Sequence, residues 1–244
     1  MALVATLSIA FAYLVGAIPF AYVLARAHGK DLRAIGSGNM GATNLARALG
    51  RSWGYVCFIL DTLKGLVPML VILWLVKPVL HRRGGDEMNF LWLWLAVGCA
   101  AIMGHIFPVY LGFKGGKGVA TSFGVALGLW PYYTGCAVLA IGIWAVVVLI
   151  WRYVSLASLV AAVSFPVILS AAIWFLPAWK LASLWPLVLV ATIIPVMVIA
   201  LHRANIRRLL AGTEHRILQG SRLHGGHSSI DRGGQPTMNG ITRH

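Results

Sequence analysis

The stretch Gly36-Ser37-Gly38-Asn39-Met40-Gly41-Ala42-Thr43-Asn44-Leu45-Ala46-Arg47 gathers small residues, hydroxyls, amides and one arginine in a chain that is otherwise strongly apolar. Glycines let backbone N–H groups turn toward a ligand, and several in succession build an anion-binding concavity. Ser37, Asn39, Thr43 and Asn44 add short polar side chains, and Arg47 offers a planar fork of donors matched to phosphate. Gly38 and Gly41 lie within the same turn-prone run. Farther on, Gly112-Phe113-Lys114-Gly115-Gly116-Lys117-Gly118 repeats the theme of glycine amides around a lysine, and His202-Arg203-Ala204-Asn205 adds an imidazole and an amide. The chemistry these residues suit is the holding of phosphate groups.

Those groups must be carried by membrane helices. Hydrophobic residues make up 59% of the 244 and charged residues 11%, with a mean hydropathy of +0.83. A soluble domain would be about a quarter charged, so the chain is read as an integral membrane protein. Apolar runs predict spans at roughly 3–25, 54–76, 90–110, 157–176 and 181–201, and residues 77–89 read as a polar loop. The first run resembles a signal peptide superficially. It lacks a basic leading segment and extends for about 22 residues, so it is read as a retained span.

Residues 119–150 are apolar throughout, with Pro131 near the middle, and charge decides how they cross. If they form two short spans turning near Pro131, then segments 26–52, 111–118, 151–155 and 202–244 share one face. That face then holds 15 of the 20 Lys and Arg residues, all but Lys64, Lys77, Arg82, Arg83 and Lys180. Positive residues collect on the cytoplasmic side. The expectation is therefore an all-α protein of seven transmembrane helices, N-terminus outside and C-terminus cytoplasmic, with five spans as the alternative. Residues 1–219 would be the membrane domain and 220–244, rich in Gly, Ser and His, a disordered cytoplasmic tail. The net charge of +14 is read as topology and not as a nucleic-acid surface.

Several other patterns carry less. Gly36-x-Gly38-x-x-Gly41 matches the dinucleotide fingerprint, but that signal needs a strand and a βαβ unit around it. The segment ending at Lys117 departs from a P-loop by one residue of spacing and by Gly118 in place of Ser or Thr. His81 and Asp86 fit a His-x-x-x-x-Asp acyltransferase pattern, yet fall on the outer face, away from every other polar cluster. Cys57, Cys99 and Cys136 read as core thiols, and no His, Cys and carboxylate set has zinc spacing. Asp61 and Lys64 stand three apart within a span, where an ion pair can form; it is read as a structural pair supporting the first motif, with a direct catalytic role as the alternative. Glu214 is read either as an anchor for the tail through Arg207 or Arg208 or as a solvated side chain. No nucleophile elbow and no carboxylate pair lies on the cytoplasmic face. The chemistry implied needs no cofactor, only positioning and charge stabilisation of an already activated substrate.

The three motifs, Gly36–Asn44, Gly115–Gly118 and His202–Ile206, resemble in type and order those of the bacterial acyl-phosphate:glycerol-3-phosphate acyltransferase (PlsY) family. The resemblance runs from the first span to about Glu214. It implies a multi-pass enzyme of the bacterial inner membrane with its active site facing the cytoplasm. The reaction implied moves a fatty acyl group from acyl phosphate to the 1-position of sn-glycerol 3-phosphate, giving lysophosphatidic acid and inorganic phosphate without an acyl-enzyme. This is the first step of phospholipid synthesis, with the donor supplied by an acyl-phosphate-forming enzyme and membrane lipids as surroundings. Ser37, Arg47, Lys117, His202 and Asn205 are implied as catalytic. Gly38, Asn39, Gly41, Thr43, Asn44, Gly115, Gly116, Gly118 and Ser155 are implied as substrate-binding, with no metal. The rival class is an organic-phosphate transporter, disfavoured because no inverted repeat or mid-membrane pair of broken helices is present.

Overall fold

The computed structural model describes residues 2–217 except 83 and 85. The expected tail of 220–244 lies outside the described residues. The chain is all-helical: α1 (Ala2–Ala17), α2 (Phe20–Ala27), α3 (Ala42–Leu49), α4 (Arg51–Val71), α5 (Lys77–Arg82), α6 (Glu87–Ile106), α7 (Val119–Gly128), α8 (Thr134–Trp151), α9 (Val154–Phe175), α10 (Leu181–Leu201) and α11 (Arg203–Leu210). Six helical stretches among the described residues are long and apolar enough to cross a membrane: 2–27, 51–82, 87–111, 134–151, 154–175 and 181–201. The region 119–150 is divided into α7 and α8, as Pro131 predicts. At 10 residues α7 is only about 15 Å long, half of a hydrocarbon core of about 30 Å.

One expected loop is helical. Beyond α4 the helix passes through a π turn at Ile72–Val76 and continues as α5 to Arg82, where a polar loop over 77–89 was expected. Lys77 did not break it because its charge is accommodated. Lys77 Nζ lies 3.0 Å from Glu87 and 5.0 Å from the centre of the Phe90 ring, while Leu80 turns inward and is buried. Asp86 caps α6, its carboxylate accepting from the Asn89 amide at 2.6 Å, which accounts for the acidic member of the His81–Asp86 pattern without any chemistry.

Helices without a hydrophobic drive between them pack through small residues that let backbones meet. α1 and α6 do so reciprocally, for a Cβ on Gly16 would strike the Ala101 carbonyl and one on Gly104 the Tyr13 carbonyl. α4 and α7 repeat the arrangement through Gly65 against Thr121 and Gly124 against Thr62. These contacts hold α7 against α4 and so fix the start of α7, where Lys117 stands. A main apolar core joins α4, α6, α7, α8, α9 and α10, with Met69, Leu95, Leu129, Leu169 and Leu187 each fully enclosed. A second, smaller core of Ala25, Leu32, Leu45 and Cys57 seats the glycine-rich motif on α2, α3 and α4.

Candidate active site

The glycine-rich motif is a turn closed by α3. Gly36 and Gly38 take positive φ of 58° and 66°, a conformation that L side chains resist. Asn44, buried in α3, holds the turn together. Its Oδ1 accepts from the Ser37 amide at 3.1 Å, and its Nδ2 donates to the carbonyls of Ile35 at 3.0 Å and Leu32 at 3.2 Å. Both amide protons are thereby used on the backbone, so Asn44 shapes the turn. Gly41 caps α3 with its carbonyl, which accepts from the Asn44 and Leu45 amides. Thr43 is exposed on the first turn of α3, and Asn39 is half-buried just before it. A Cβ on Gly36 would lie 3.5 Å from Arg47 Cδ, so the Ser37 turn runs beside the arginine stem.

The second and third motifs meet at the same end of the bundle. Lys117 Nζ donates to Asn205 Oδ1. Asn205 Nδ2 donates to Glu214 Oε1 at 2.6 Å, Ser155 Oγ donates to the same oxygen at 2.8 Å, and Arg208 Nε donates to Oε2 at 2.6 Å. The chain after α11 thus folds back so that one carboxylate ties α9 and α11 together and, through Asn205, reaches Lys117. Arg47 is solvent-accessible and feels the charges of both Glu214 and Arg208. Gly118 caps α7 with φ of 81°, which turns the chain from Lys117 into the helix.

Burial sets the electrostatics of this cluster. Lys117 is held down to about 8, first by desolvation and then by Arg208 and Arg47, with Glu214 opposing. Burial and the Lys117 charge lower His202 to about 4, so its ring is neutral near pH 7. Its Nδ1 lies 2.7 Å from the Val198 carbonyl, which requires the proton on Nδ1 and leaves Nε2 as an acceptor. Burial pushes Glu214 up, but the donors Asn205, Ser155 and Arg208 and the Arg208 charge outweigh it and leave the carboxyl below its usual range. Glu214→Ala is expected to cost about 3 kcal/mol, because it strips a buried carboxylate from a cationic cluster. Thermal unfolding in detergent checks this. Because the native pKa is depressed, the contribution is present above the ordinary carboxylate range and is lost as pH falls through the native value.

An apolar cavity of about 130 Å³ opens beside the cluster. Val119, Ser122, Ser158 and Val198 line it near Lys117, Ser155 and His202, and Leu129, Tyr133 and Phe165 line its far end. There the Tyr133 hydroxyl donates to the Leu187 carbonyl, and its ring meets Phe165 edge-on with centres 5.1 Å apart. Among the described residues no three of His, Cys, Asp and Glu come together as a metal site.

Of the residues expected from sequence, Arg47, Lys117, His202, Asn205 and Ser155 converge, Ser37 stands beside Arg47, and Gly115, Gly116 and Gly118 shape the Lys117 loop. From the sequence Glu214 is either an anchor through Arg207 or Arg208 or a solvated side chain; the structure makes it an anchor and selects Arg208. The signal was there, for Glu214 is the one acid in a run holding Arg203, Arg207, Arg208 and Arg216. His105, which lies under Gly116, was not foreseen.

A helical membrane protein with clustered cations close to an apolar cavity can bring a water-soluble anion against a lipid chain. The family model for glycerol-3-phosphate acyltransferase matches residues 6–212, and the chain belongs to that family. It is 46% identical to the glycerol-3-phosphate acyltransferase of Geobacter sulfurreducens over 85% of this chain and 94% of that protein. Its identity to the enzyme of the same name from Aquifex aeolicus is 41%, over 84% and 95%. It is similar to the crystal structure of PlsY (YgiH), an integral membrane glycerol 3-phosphate acyltransferase, in its glycerol 3-phosphate form. The TM-score is 0.72 at 40% identity, covering 87% of this chain and 94% of that one. The lysophosphatidic acid form gives 0.70 at 39% identity.

Proposed function

We propose that this protein transfers a fatty acyl group from acyl phosphate to the 1-hydroxyl of sn-glycerol 3-phosphate, as the first step of phospholipid synthesis. The observation that carries this reading is the cluster of Arg47, Lys117 and Arg208, which feel one another's charge, close to an apolar cavity whose lining includes Val119, two residues from Lys117, and Val198, the hydrogen-bond partner of His202. A phosphate dianion from water and the anionic head of a lipid can share the cationic cluster, with the acyl chain in the cavity. The family membership and the glycerol 3-phosphate and lysophosphatidic acid forms of the PlsY structure support the acceptor and product.

An acyl phosphate is a mixed anhydride, so its carbonyl is electrophilic and phosphate is a good leaving group. The glycerol oxygen adds to that carbonyl, the bond from the acyl carbon to the phosphate oxygen breaks, and the hydroxyl proton leaves with phosphate. No acyl-enzyme is formed. Arg47 and Lys117, with Ser37 and the first-turn amides of α3, hold phosphate oxygens and stabilise the charge passing to the leaving group. Asn205 and Glu214 orient Lys117. Neutral His202 offers Nε2 as an acceptor to the reacting hydroxyl, and Asn44 acts by shaping the Ser37 turn. The site faces the cytoplasm of the bacterial inner membrane. The N-terminus lies outside, and α7 is a short seventh membrane-embedded helix paired with α8. An enzyme that forms acyl phosphate supplies the donor.

Purified protein given glycerol 3-phosphate and palmitoyl phosphate is expected to release inorganic phosphate and form lysophosphatidic acid in equal amounts, and to do neither with palmitoyl-CoA. Activity with the CoA donor alone would overturn the choice of donor. Inactivity with both, together with glycerol 3-phosphate uptake into proteoliposomes, would favour a transporter.

A further inference from the structure

Charged side chains inside a membrane bundle are costly and are kept where they are paired or functional. Asp61 and Lys64 of α4 are both about 3% exposed and 2.9 Å apart, yet neither belongs to the cation cluster described above. Lys64 Nζ also donates to the Ile18 carbonyl at 2.8 Å, at the break between α1 and α2, and lies 5.7 Å from the centre of the Phe20 ring. Asp61 takes a weak donor contact from Cys57 Sγ at 3.5 Å. On its other side it faces His105 Nδ1 of α6 at 3.7 Å, beyond hydrogen-bond length. The row therefore runs from the α1–α2 break through α4 to the last turn of α6.

That row ends under the Lys117 loop. The His105 carbonyl accepts from the Gly116 amide at 3.1 Å, and the Ile106 carbonyl accepts from Gly115 at 3.1 Å. A Cβ on Gly116 would overlap His105 Nε2 and come within 2.7 Å of its Cε1. A Cβ on Gly115 would strike the His105 carbonyl. Neither glycine has a positive φ, so the backbone conformation does not demand them. What demands them is the surface of α6, and at Gly116 it is the imidazole itself.

We propose that Asp61, Lys64 and His105 form an intramembrane positioning network that sets the height of the Gly115-Gly116-Lys117 loop and thereby places the Lys117 ammonium. This rests on the reading of Lys117 as a phosphate-holding group. Lys64 fixes the Asp61 carboxylate against the α1–α2 break, Asp61 faces and orients His105, and the ring of His105 supports the loop from below. Gly116 is then required by its fit on a protein side chain, where a phosphate-binding loop would require it for close approach of the ligand.

The two accounts part in a double-variant cycle on the full-length protein in detergent: His105→Ala, Gly116→Ala and both together, with Asp61→Asn alongside. Gly116→Ala is expected to raise the KM for glycerol 3-phosphate at least ~10-fold and to lower kcat as well, because the displaced ammonium serves both the bound phosphate and the leaving group. The double variant is expected to regain at least ~5-fold of that KM, since the methyl group then occupies the space the ring has left; such non-additivity is the mark of direct contact. Asp61→Asn should raise KM in the same direction as Gly116→Ala, by a smaller factor. Should His105→Ala fail to fold, His105→Asn shortens the side chain while keeping a polar group toward Asp61. A double variant whose defects simply multiply would overturn the proposal and return the glycine requirement to the ligand. If the wild-type protein made no lysophosphatidic acid, the functional reading would fail separately. The same cycle read by thermal unfolding, with Gly116→Ala destabilised and the double variant restored, would still decide the contact.

Discussion

Lys117→Ala is expected to lower kcat/KM for glycerol 3-phosphate by at least ~100-fold while leaving a monodisperse protein, the loss typical of removing one preorganised charge from a transition-state site. Lys117 is half-buried, shares its surroundings with Arg47 and Arg208, and is held to about 8 by desolvation and those two charges. A site that strains to keep a proton gains most from an arriving dianion, which relieves the repulsion among the three cations. The depressed pKa has a direct kinetic signature. The ammonium is charged below about pH 8 and neutral above it, so kcat/KM should fall as pH rises through that value, tenfold per unit at the limit. Bound phosphate raises the pKa, so kcat at saturation should hold to higher pH. Lys117→Arg, whatever its absolute rate, should carry the limb upward out of the accessible range, because a guanidinium does not deprotonate there. A pH–rate profile with no limb near 8 in the wild type would place the working charge elsewhere.

The parts of this site that were legible in the sequence are those that announce themselves by composition. Glycines, amides and a lone arginine in an apolar chain mark the first motif, and Pro131 with the placement of lysines and arginines predicts the division of 119–150 into α7 and α8. What stayed hidden depends on which atoms face each other. Asn44 has the right chemistry for a ligand and spends it on Ser37, Leu32 and Ile35, a choice made by the fold of the turn. Glu214 is distant in sequence from Ser155, and only the return of the chain after α11 makes it their common acceptor. Hydropathy also underestimated the reach of the second span. It registers Lys77 as an end signal, whereas a lysine with a carboxylate and an aromatic face in range lets the helix run on to Arg82. His105 is a single polar residue in an apolar run, and nothing in its spacing discloses that Gly116 rests on it.

The least forgiving position in the chain is expected to be Gly124, with Gly124→Leu giving no folded protein in detergent, measured as loss of the monodisperse peak on size-exclusion chromatography. The added Cβ would strike the Thr62 carbonyl and approach the Leu66 amide at 3.0 Å, and Gly65 presents the mirror collision with Thr121. These are backbone atoms of α4, so no rotamer change relieves them. Overpacking a core by a few methylenes costs about 1–3 kcal/mol when side chains can move, and here the helices themselves must part. α7 tolerates that poorly. At 10 residues it is about 15 Å long, too short to cross a hydrocarbon core of about 30 Å, so its docking on α4 is what fixes its position. Gly142→Leu is the matched control, for a Cβ there meets nothing within 4 Å, and it should behave as wild type. Equal behaviour of the two variants would mean that α4 and α7 are not in backbone contact. If Gly124→Leu alone is lost, the same contact explains how a short helix presents Lys117 at a constant height: Gly65 and Gly124 hold its body against α4 while His105 bears its N-terminal loop.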